Sequence, residues 1–256
     1  MQTTDIVYEQ PLNERMRFFL RLEALFRQAR HSLRGSAEMD SHLSLASLLE
    51  ILNVLGRVDM RTEVLKELER LIATLEPLAR TPGVNHDTLD SLLVSLGGFK
   101  AQLLLLDGPI AQELRDNEFI KLLLQRSGIS GGLCDFDLPP YRHWLRRDAE
   151  TRLGDLKTWL GSLDGLRLSV DLVLKLVRES ATASERVAKA GCYQQPLDSS
   201  LHYQLIRVGL PAESPYFAEI SGGRHRFTVR ILRASSHSRA CQASEAVPFR
   251  LSCCAL

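Results

Sequence analysis

Apolar residues recur at intervals of three and four over residues 10–190, which predicts a body of amphipathic helices. The first helix is expected to follow Asn13, a residue type that caps helix N-termini. Its apolar face contains Met16, Phe19, Leu22, Phe26 and Leu33. Further helices are predicted over 41–55, from Asp59 to about Pro77, from Asn85 or Asp87 to Leu106, over 111–126, from about Pro140, and between Glu150 and Val187.

The third of these helices has a heptad-like apolar seam. Its large apolar residues alternate spacings of four and three, at Val64, Leu68, Leu71, Leu75 and Leu78. Such a seam can pack inside one chain or join two chains. We favour the internal core, and the residues that form any dimer contact stay open at this stage.

From Cys192 the period changes to alternation, which predicts strands over 201–208, 217–220, 226–233 and 247–253. Ser221-Gly222-Gly223 lies where a hairpin turn is needed. Isolated strands are expected at 5–9 and 133–137, and they must join this sheet to satisfy their backbone groups. The prediction is an α+β protein with a helical domain (10–130 and 140–190) and a small antiparallel β-sheet domain. The latter is assembled from N-terminal, middle and C-terminal strands (1–9, 131–139 and 191–256).

Composition is that of an ordinary globular protein, with 45% hydrophobic and 25% charged residues. A net charge of +1 imposes no nucleic-acid or membrane partner. The N-terminus has no signal-peptide pattern, and the longest run of large apolar residues, Leu103–Leu106, is too short to span a membrane. Five scattered cysteines without a CxxC pair indicate neither a disulfide framework nor a metal site. We therefore expect a cytoplasmic protein without a cofactor.

One string resembles a catalytic motif. Residues 128–132 read G-x-S-x-G around Ser130, but a nucleophile elbow needs a strand before the serine and a helix after it. Here a predicted helix precedes the serine, so a helix stop followed by a turn is the better interpretation. The seven histidines lack zinc-site spacings, and no phosphate-binding glycine loop is present. We predict no catalytic residue and no enzyme activity, and labelling by a serine-reactive phosphonate would support the hydrolase alternative.

The remaining candidate for function is a row of basic residues in the predicted hairpin. Arg224, Arg226 and Arg230 have even spacing, so they project from one face of the predicted strand. The opposite face carries Phe227, Val229 and Ile231, which suit a buried side. Guanidinium groups in a row can bind carboxylates or phosphates, but they can also form a merely solvated face. Both interpretations stay open from the pattern alone.

Four segments together give the chain a family resemblance. They are YEQPLNERMRFFLRLE (8–23), RTEVLKELERL (61–71), SGGLCDFDLPPYRHWL (130–145) and ISGGRHRFTVRIL (220–232). In this combination and order the chain resembles the Z-ring-associated division protein D (ZapD) family. The resemblance implies a homodimer with a helical and a β-strand domain, which binds the partly acidic C-terminal tail of FtsZ and bundles FtsZ filaments at midcell. It also implies that the contacts come from basic residues at Arg17, Arg57, Arg142, Arg226 and Arg230.

An alternative is a nucleic-acid-binding module that uses the same arginine-rich hairpin. Basic and aromatic residues interleave in RFTVR, as they do on some RNA-binding sheets. Phe227 points away from the arginines in a regular strand, however, so no stacking platform forms. The near-zero net charge also disfavours a dedicated nucleic-acid binder, and no nucleic-acid partner is expected.

Overall fold

The computed structural model describes residues 5–134, 137–223, 225–234 and 239–256. The chain divides into two compact units. The helical unit comprises Phe18–Val173, and the strand unit comprises the residues up to Arg17 together with Leu174–Leu256. None of the helices in the described residues is long and apolar enough to cross a membrane.

Helices dominate the first two thirds of the described chain. They are α1 (Glu14–Ser32), α2 (Glu38–Arg57), α3 (Met60–Leu75), a 3-10 helix (Glu76–Arg80), α4 (His86–Leu104), α5 (Gln112–Asp116), α6 (Glu118–Ser127), α7 (Pro139–Leu145), α8 (Ala149–Gly161) and α9 (Asp164–Glu179). The predicted cap at Asn13 is confirmed, as are the predicted starts of the third helix near Asp59 and of the fourth after Asn85. Asn13 accepts the Met16 amide at 2.9 Å, and Asp59 and Asn85 cap α3 and α4 in the same way.

Two helix predictions need correction. The helix predicted over 111–126 is two helices, because Asn117 adopts an extended backbone and caps α6 through the Ile120 amide at 3.1 Å. The second helix begins at Glu38 rather than at Ser41. Ser41 is instead buried, and its hydroxyl accepts a hydrogen bond from Arg152 Nε at 3.1 Å.

The apolar seam of α3 belongs to the core of a single chain. Val64, Leu68 and Leu71 have no exposed surface, and α3 packs mainly against α4. Leu78 leaves the seam and is 39% exposed, because Pro77 converts the helix into the 3-10 turn. The internal-core interpretation is confirmed.

The strand unit contains two four-stranded antiparallel sheets, which confirms the α+β class. The strands are β1 (Asp5–Pro11), β2 (Ser184–Ala188), β3 (Cys192–Pro196), β4 (Tyr203–Pro211), β5 (Tyr216–Gly222), β6 (Arg226–Arg233), β7 (Cys241–Gln242) and β8 (Val247–Ala255). The first sheet has the order β1-β4-β8-β2. The second has the order β3-β6-β5, with β7 also paired to β6. Inward residues of both sheets form one buried cluster that includes Ile206, Phe227 and Phe249.

Two strand predictions differ from the structure. The strand predicted over 133–137 is not formed by the described residues, since Cys134 and Asp137 donate their amides to Gly131 and Cys134 in tight turns. Asp135 and Phe136 of this prediction lie outside the described residues. The last helix ends at Glu179 rather than at Val187, and Ser184–Ala188 forms β2 at the edge of the first sheet.

Two polar clusters hold elements of the strand unit together. The Glu9 carboxylate accepts two hydrogen bonds from Arg178, at 2.8 and 2.7 Å, and a third from Arg207 Nε at 2.9 Å. These bonds join the end of α9 to β1 and β4. At the second sheet, the Tyr216 hydroxyl donates to the Glu245 carboxylate. This bond is the largest of several causes, with hydrogen bonds from the Glu245 backbone and Ser244 and the charge of Arg233, that together lower the pKa of Glu245 to about 2.

Candidate functional site

The outer face of the second sheet presents the predicted arginine row. Arg226 and Arg230 are exposed on β6, and Thr228 lies between them on the same face. The alternate residues Phe227 and Val229 are 1% and 0% exposed, because they enter the buried cluster. The period-two alternation of an antiparallel strand thus places the two guanidiniums on one side. Arg224, the third residue of the predicted row, lies outside the described residues.

Neighbouring strands complete this surface, which we call the arginine face. The register places Cys192 opposite Arg230 and Pro196 opposite Arg226 on one side, and Glu219 opposite Arg230 on the other. The arginine face is defined by Arg226, Thr228 and Arg230 of β6 with Cys192, Gln194 and Pro196 of β3 and Glu219 and Ser221 of β5. Glu219 is the one acidic side chain in this set.

The two arginines differ in their pairing. Arg230 Nη1 lies 3.6 Å from Glu219 Oε2, with both side chains about half exposed, so this ion pair is weak. The Arg226 side chain has no hydrogen-bond or ion-pair partner in the described part of the chain. It lines a depression of about 440 Å³ beside Gly222 and Gly223 at the turn end of the hairpin. One end of the face thus offers an anion a guanidinium that no other described residue pairs with.

Arg17 lies in the strand unit, on the first turns of α1. Its position follows from the Asn13 cap, which fixes where the helix begins. Arg17 Nε lies 3.1 Å from Glu14 Oε1, and the arginine side chain is 40% exposed. Both side chains are exposed, so water and salt screen this ion pair and keep it weak. Arg17 can therefore exchange Glu14 for another carboxylate at little cost.

Arg57 lies in the helical unit, at the C-terminal end of α2, where it lines a cleft of about 760 Å³. Arg61 and Arg115 line the same cleft. Arg61 donates to the carbonyls of Gly108 and Leu104 at 3.2 and 3.0 Å, so backbone oxygens hold its guanidinium. We call this the Arg57 cleft. The Arg57 side chain is exposed and has no hydrogen-bond or ion-pair partner among the described residues.

Sequence reasoning missed Arg115 as a member of this cleft. Its guanidinium donates to the carbonyl of Leu52, in the last turns of α2. The only sequence signal is a single arginine in a short polar stretch, 58 residues after Arg57, and no periodicity links the two positions. Only the packing of the helices brings them to one cleft.

Arg142 also lies in the helical unit, exposed on the short helix α7. The neighbouring aromatic residues Tyr141 and Trp144 are buried and anchor the helix, and Trp144 Nε1 donates to Asp155 at 2.8 Å. His143, the next residue, is exposed as well. α7 thus holds a basic pair on a firmly packed turn.

The alternatives from the sequence find little support in the geometry. Ser130 follows α6 in a series of turns, in which the Gly132 amide donates to the Ile129 carbonyl at 2.8 Å, so the helix-stop interpretation of the G-x-S-x-G string is confirmed. Phe227 is buried, so it cannot stack on a nucleic-acid base. No group of three potential metal ligands occurs among the described residues.

The two C-terminal cysteines of β8 are poor candidates for chemistry. Burial raises the pKa of Cys253, and it raises that of Cys254 to about 11. A thiol that stays protonated at neutral pH is a weak nucleophile and a weak metal ligand.

The fold and these surfaces describe an α+β protein that exposes arginines on a sheet face and in a helical cleft. Residues 20–230 match a family whose description is "Cell division protein", and this places the chain among the cell division proteins. Specifically, the chain belongs to the ZapD family.

Curated relatives support this membership over nearly the whole length. The cell division protein ZapD of Methylococcus capsulatus is 43% identical over 251 residues, which cover 98% of each chain. Those of Aromatoleum aromaticum and Coxiella burnetii are each 36% identical, covering 98% and 99% of both chains respectively. The chain is therefore a division factor of a family that is not known for enzymes.

Proposed function

We propose that this protein binds the C-terminal tail of FtsZ and cross-links FtsZ filaments in the cytoplasm at the midcell division site, where it promotes Z-ring assembly and septation. Membership of the ZapD family supports a role in division. The observation that carries the proposal is the arginine face, where Arg226 has no partner among the described residues and Arg230 has only a weak ion pair with Glu219.

The arginine face suits an acidic peptide for a geometric reason. Residues four apart on a strand lie about 13 Å from each other along its axis, so Arg226 and Arg230 match carboxylates four residues apart on an extended peptide. Each guanidinium offers a planar pair of donors that fits a carboxylate. The half-exposed setting keeps each contact modest and sensitive to salt.

Bundling requires at least two tail sites in one particle, and we propose that a homodimer supplies them. Once one tail is bound, a second tail on a neighbouring filament binds at a raised effective concentration. Many modest contacts along two filaments then sum to a stable bundle. Neither a cofactor nor a catalytic group is needed for this role.

Arg17, Arg57 and Arg142 are proposed as further contacts for the tail. Arg57 is the strongest of the three, because its side chain is exposed and lines a cleft with Arg61 and Arg115. A carboxylate that enters this cleft meets the Arg57 guanidinium, which has no partner in the described ranges, beside two guanidiniums that backbone carbonyls hold in place. Charge reversal at Arg57 should therefore weaken tail binding more than reversal at Arg17.

A co-sedimentation assay tests the proposal. FtsZ filaments are pelleted with this protein, using intact FtsZ and FtsZ without its C-terminal tail. Bundling should raise the pelleted fraction of intact FtsZ, leave the tail-less form unchanged, and decline as salt is added. Equal pelleting of the tail-less form would refute tail binding.

Charge-reversal variants test whether the arginine face is the surface that binds the tail. Arg226→Glu combined with Arg230→Glu should abolish pelleting, because both guanidiniums become repulsive to an acidic tail. A matched control reverses Arg186 and Arg239, two exposed arginines of the strand unit outside the arginine face, and should pellet FtsZ as the unmodified protein does. Normal pelleting by the first variant would refute the assignment of the face.

The nucleic-acid alternative is tested by an electrophoretic shift with single-stranded RNA at physiological salt. Buried Phe227 leaves the arginine face without an aromatic platform, so no shift is expected. A shift that Arg226→Glu abolishes would favour the alternative function.

A further inference from the structure

The helical unit carries another basic surface, which shares no residue with the surfaces described above. Arg27, Arg30, His31 and Arg34 follow the spacing i, i+3, i+4, i+7 and so form one stripe along the last turns of α1 and just beyond them. They line a cleft of about 590 Å³ that α9 closes on the other side. We call it the α1–α9 cleft, and its remaining lining residues are Glu23, Phe26, Arg167 and Asp171.

The two carboxylates of the cleft already have partners. Glu23 Oε2 lies 3.3 Å from Arg27 Nη2, and Asp171 Oδ2 accepts from Arg167 Nη1 at 3.0 Å. Burial raises the pKa of Asp171, while the charge of Arg167 opposes that rise. The charge of Arg30 also opposes the rise, although Arg30 forms no ion pair with Asp171 in the described residues. Two carboxylates face four arginines among the lining residues, so the cleft keeps an excess of positive charge.

Three basic residues of the lining form no ion pair with any residue that the structure describes. Arg30, His31 and Arg34 are exposed, and their side chains have no hydrogen-bond or ion-pair partner within the described ranges. Arg30 and His31 lie in the last turn of α1, and the Arg34 amide donates to the His31 carbonyl at 3.2 Å in the turn that follows, so the three residues lie close together along the chain and line the same cleft. The two guanidiniums and the imidazole offer planar N–H donors toward the same open volume.

We propose that the α1–α9 cleft binds a compact phosphate-bearing anion through Arg30, His31 and Arg34. A carboxylate carries a single charge and can pair with a single arginine, as Glu23 does with Arg27 and Asp171 with Arg167. A phosphate carries up to two charges and three acceptor oxygens, which matches a cluster of three donors within little more than one helical turn. The anion is either a free phosphate compound or the headgroup of an anionic lipid, and both present the same chemistry.

The test uses the full-length protein with two probes. Inorganic triphosphate is titrated by calorimetry at physiological salt, and vesicles with and without phosphatidylglycerol are pelleted with the protein. The variant Arg30→Glu with Arg34→Glu should weaken triphosphate binding at least about tenfold, since it removes two charge-assisted contacts. The matched control is Arg80→Glu with Arg126→Glu, two exposed arginines of the same unit that do not line the cleft, and it should bind as the unmodified protein does.

The two probes distinguish a free phosphate compound from a lipid headgroup. Binding of triphosphate alone indicates a free phosphate compound, whereas vesicle binding that triphosphate displaces indicates a lipid headgroup. Arg34→Gln serves as a second, milder variant, and unfolding curves verify that each variant is folded. The proposal is overturned if neither probe binds, or if binding persists unchanged in the Arg30→Glu, Arg34→Glu variant. In that event these basic residues serve only to stabilise the partial negative charge at the C-terminal end of α1. FtsZ pelleting by the variant should stay normal, so this result is independent of the proposed function.

Discussion

Arg152 offers the sharpest prediction about the stability of the helical unit. It is only 5% exposed, and its guanidinium donates to four oxygens from two other parts of the unit. Nε donates to the Ser41 hydroxyl at 3.1 Å, Nη2 to the Ser36 carbonyl at 2.8 Å, and Nη1 to the carbonyls of Leu145 and Arg147. The side chain therefore ties the start of α2 and the end of α7 to α8.

Replacing Arg152 by methionine fills similar space but removes every one of these bonds. The Ser41 hydroxyl and three part-buried backbone carbonyls then lose a donor, and each hydrogen bond to a charged group contributes about 1.5–3 kcal/mol. Methionine also removes the cost of keeping the Arg152 charge away from water, and this gain offsets part of the loss. We expect the free energy of unfolding to fall by about 3–5 kcal/mol. Lysine at this position keeps the charge but lacks the planar fork, so it should rescue only part of the loss.

Tryptophan fluorescence during urea unfolding measures this effect in the right unit, because both tryptophans of the chain, Trp144 and Trp159, lie in the helical unit. The matched control is Arg147→Met, which removes only a half-exposed guanidinium 3.5 Å from Asp155 and should cost less than about 1 kcal/mol. If Arg152→Met stays within about 1 kcal/mol of the unmodified protein, the reasoning about these four hydrogen bonds is wrong.

Three further predictions concern the strand unit. Glu9→Gln removes the charge that two half-buried guanidiniums share, so the free energy of unfolding followed by circular dichroism should fall by about 1–3 kcal/mol, and no change would contradict the network. Glu245 has a lowered pKa, so its contribution to stability is present above its ordinary pKa of 4.5 and is lost as pH falls toward 2. Carboxyl titration by NMR should show this shift, and Tyr216→Phe should return the pKa toward 4.5. Glu219→Gln frees Arg230 and should tighten binding of an FtsZ tail peptide about two- to fivefold, whereas weaker binding would refute the competition.

Local signals predicted the helices well where a cap and an apolar face coincide. Asn13, Asp59 and Asn85 each accept an amide three residues on, which depends only on neighbouring residues. Asn117 gives the same signal, but the apolar residues on both sides of it favour one continuous helix. The structure breaks there because the cap at Asn117 satisfies the first amides of a new helix.

Non-local pairing was harder to predict. Ser184–Ala188 becomes a strand only because β8 pairs with it, and its own sequence, SERVA, is mostly polar. The reverse error occurred at 133–137, where apolar residues suggested a strand while Gly131, with a φ of 72°, favours a turn.

In the candidate site, too, local features could be predicted from the sequence and non-local ones could not. Arg226 and Arg230 share a face because strand alternation is a local rule. The pairing of Arg230 with Glu219 follows from the hairpin register, which fixes their cross-strand position. The meeting of Arg57 and Arg115 in one cleft follows from helix packing, which no short-range pattern encodes.

The most direct test of the central claim measures binding of a fluorescent FtsZ tail peptide by anisotropy, across a salt series, without filaments. The unmodified protein should bind with an affinity that falls as salt rises. Arg226→Glu should weaken binding by about tenfold or more, while Arg186→Glu should leave it unchanged. Equal affinities for the Arg226→Glu variant and the unmodified protein at every salt concentration would contradict the arginine face as the receptor for the tail.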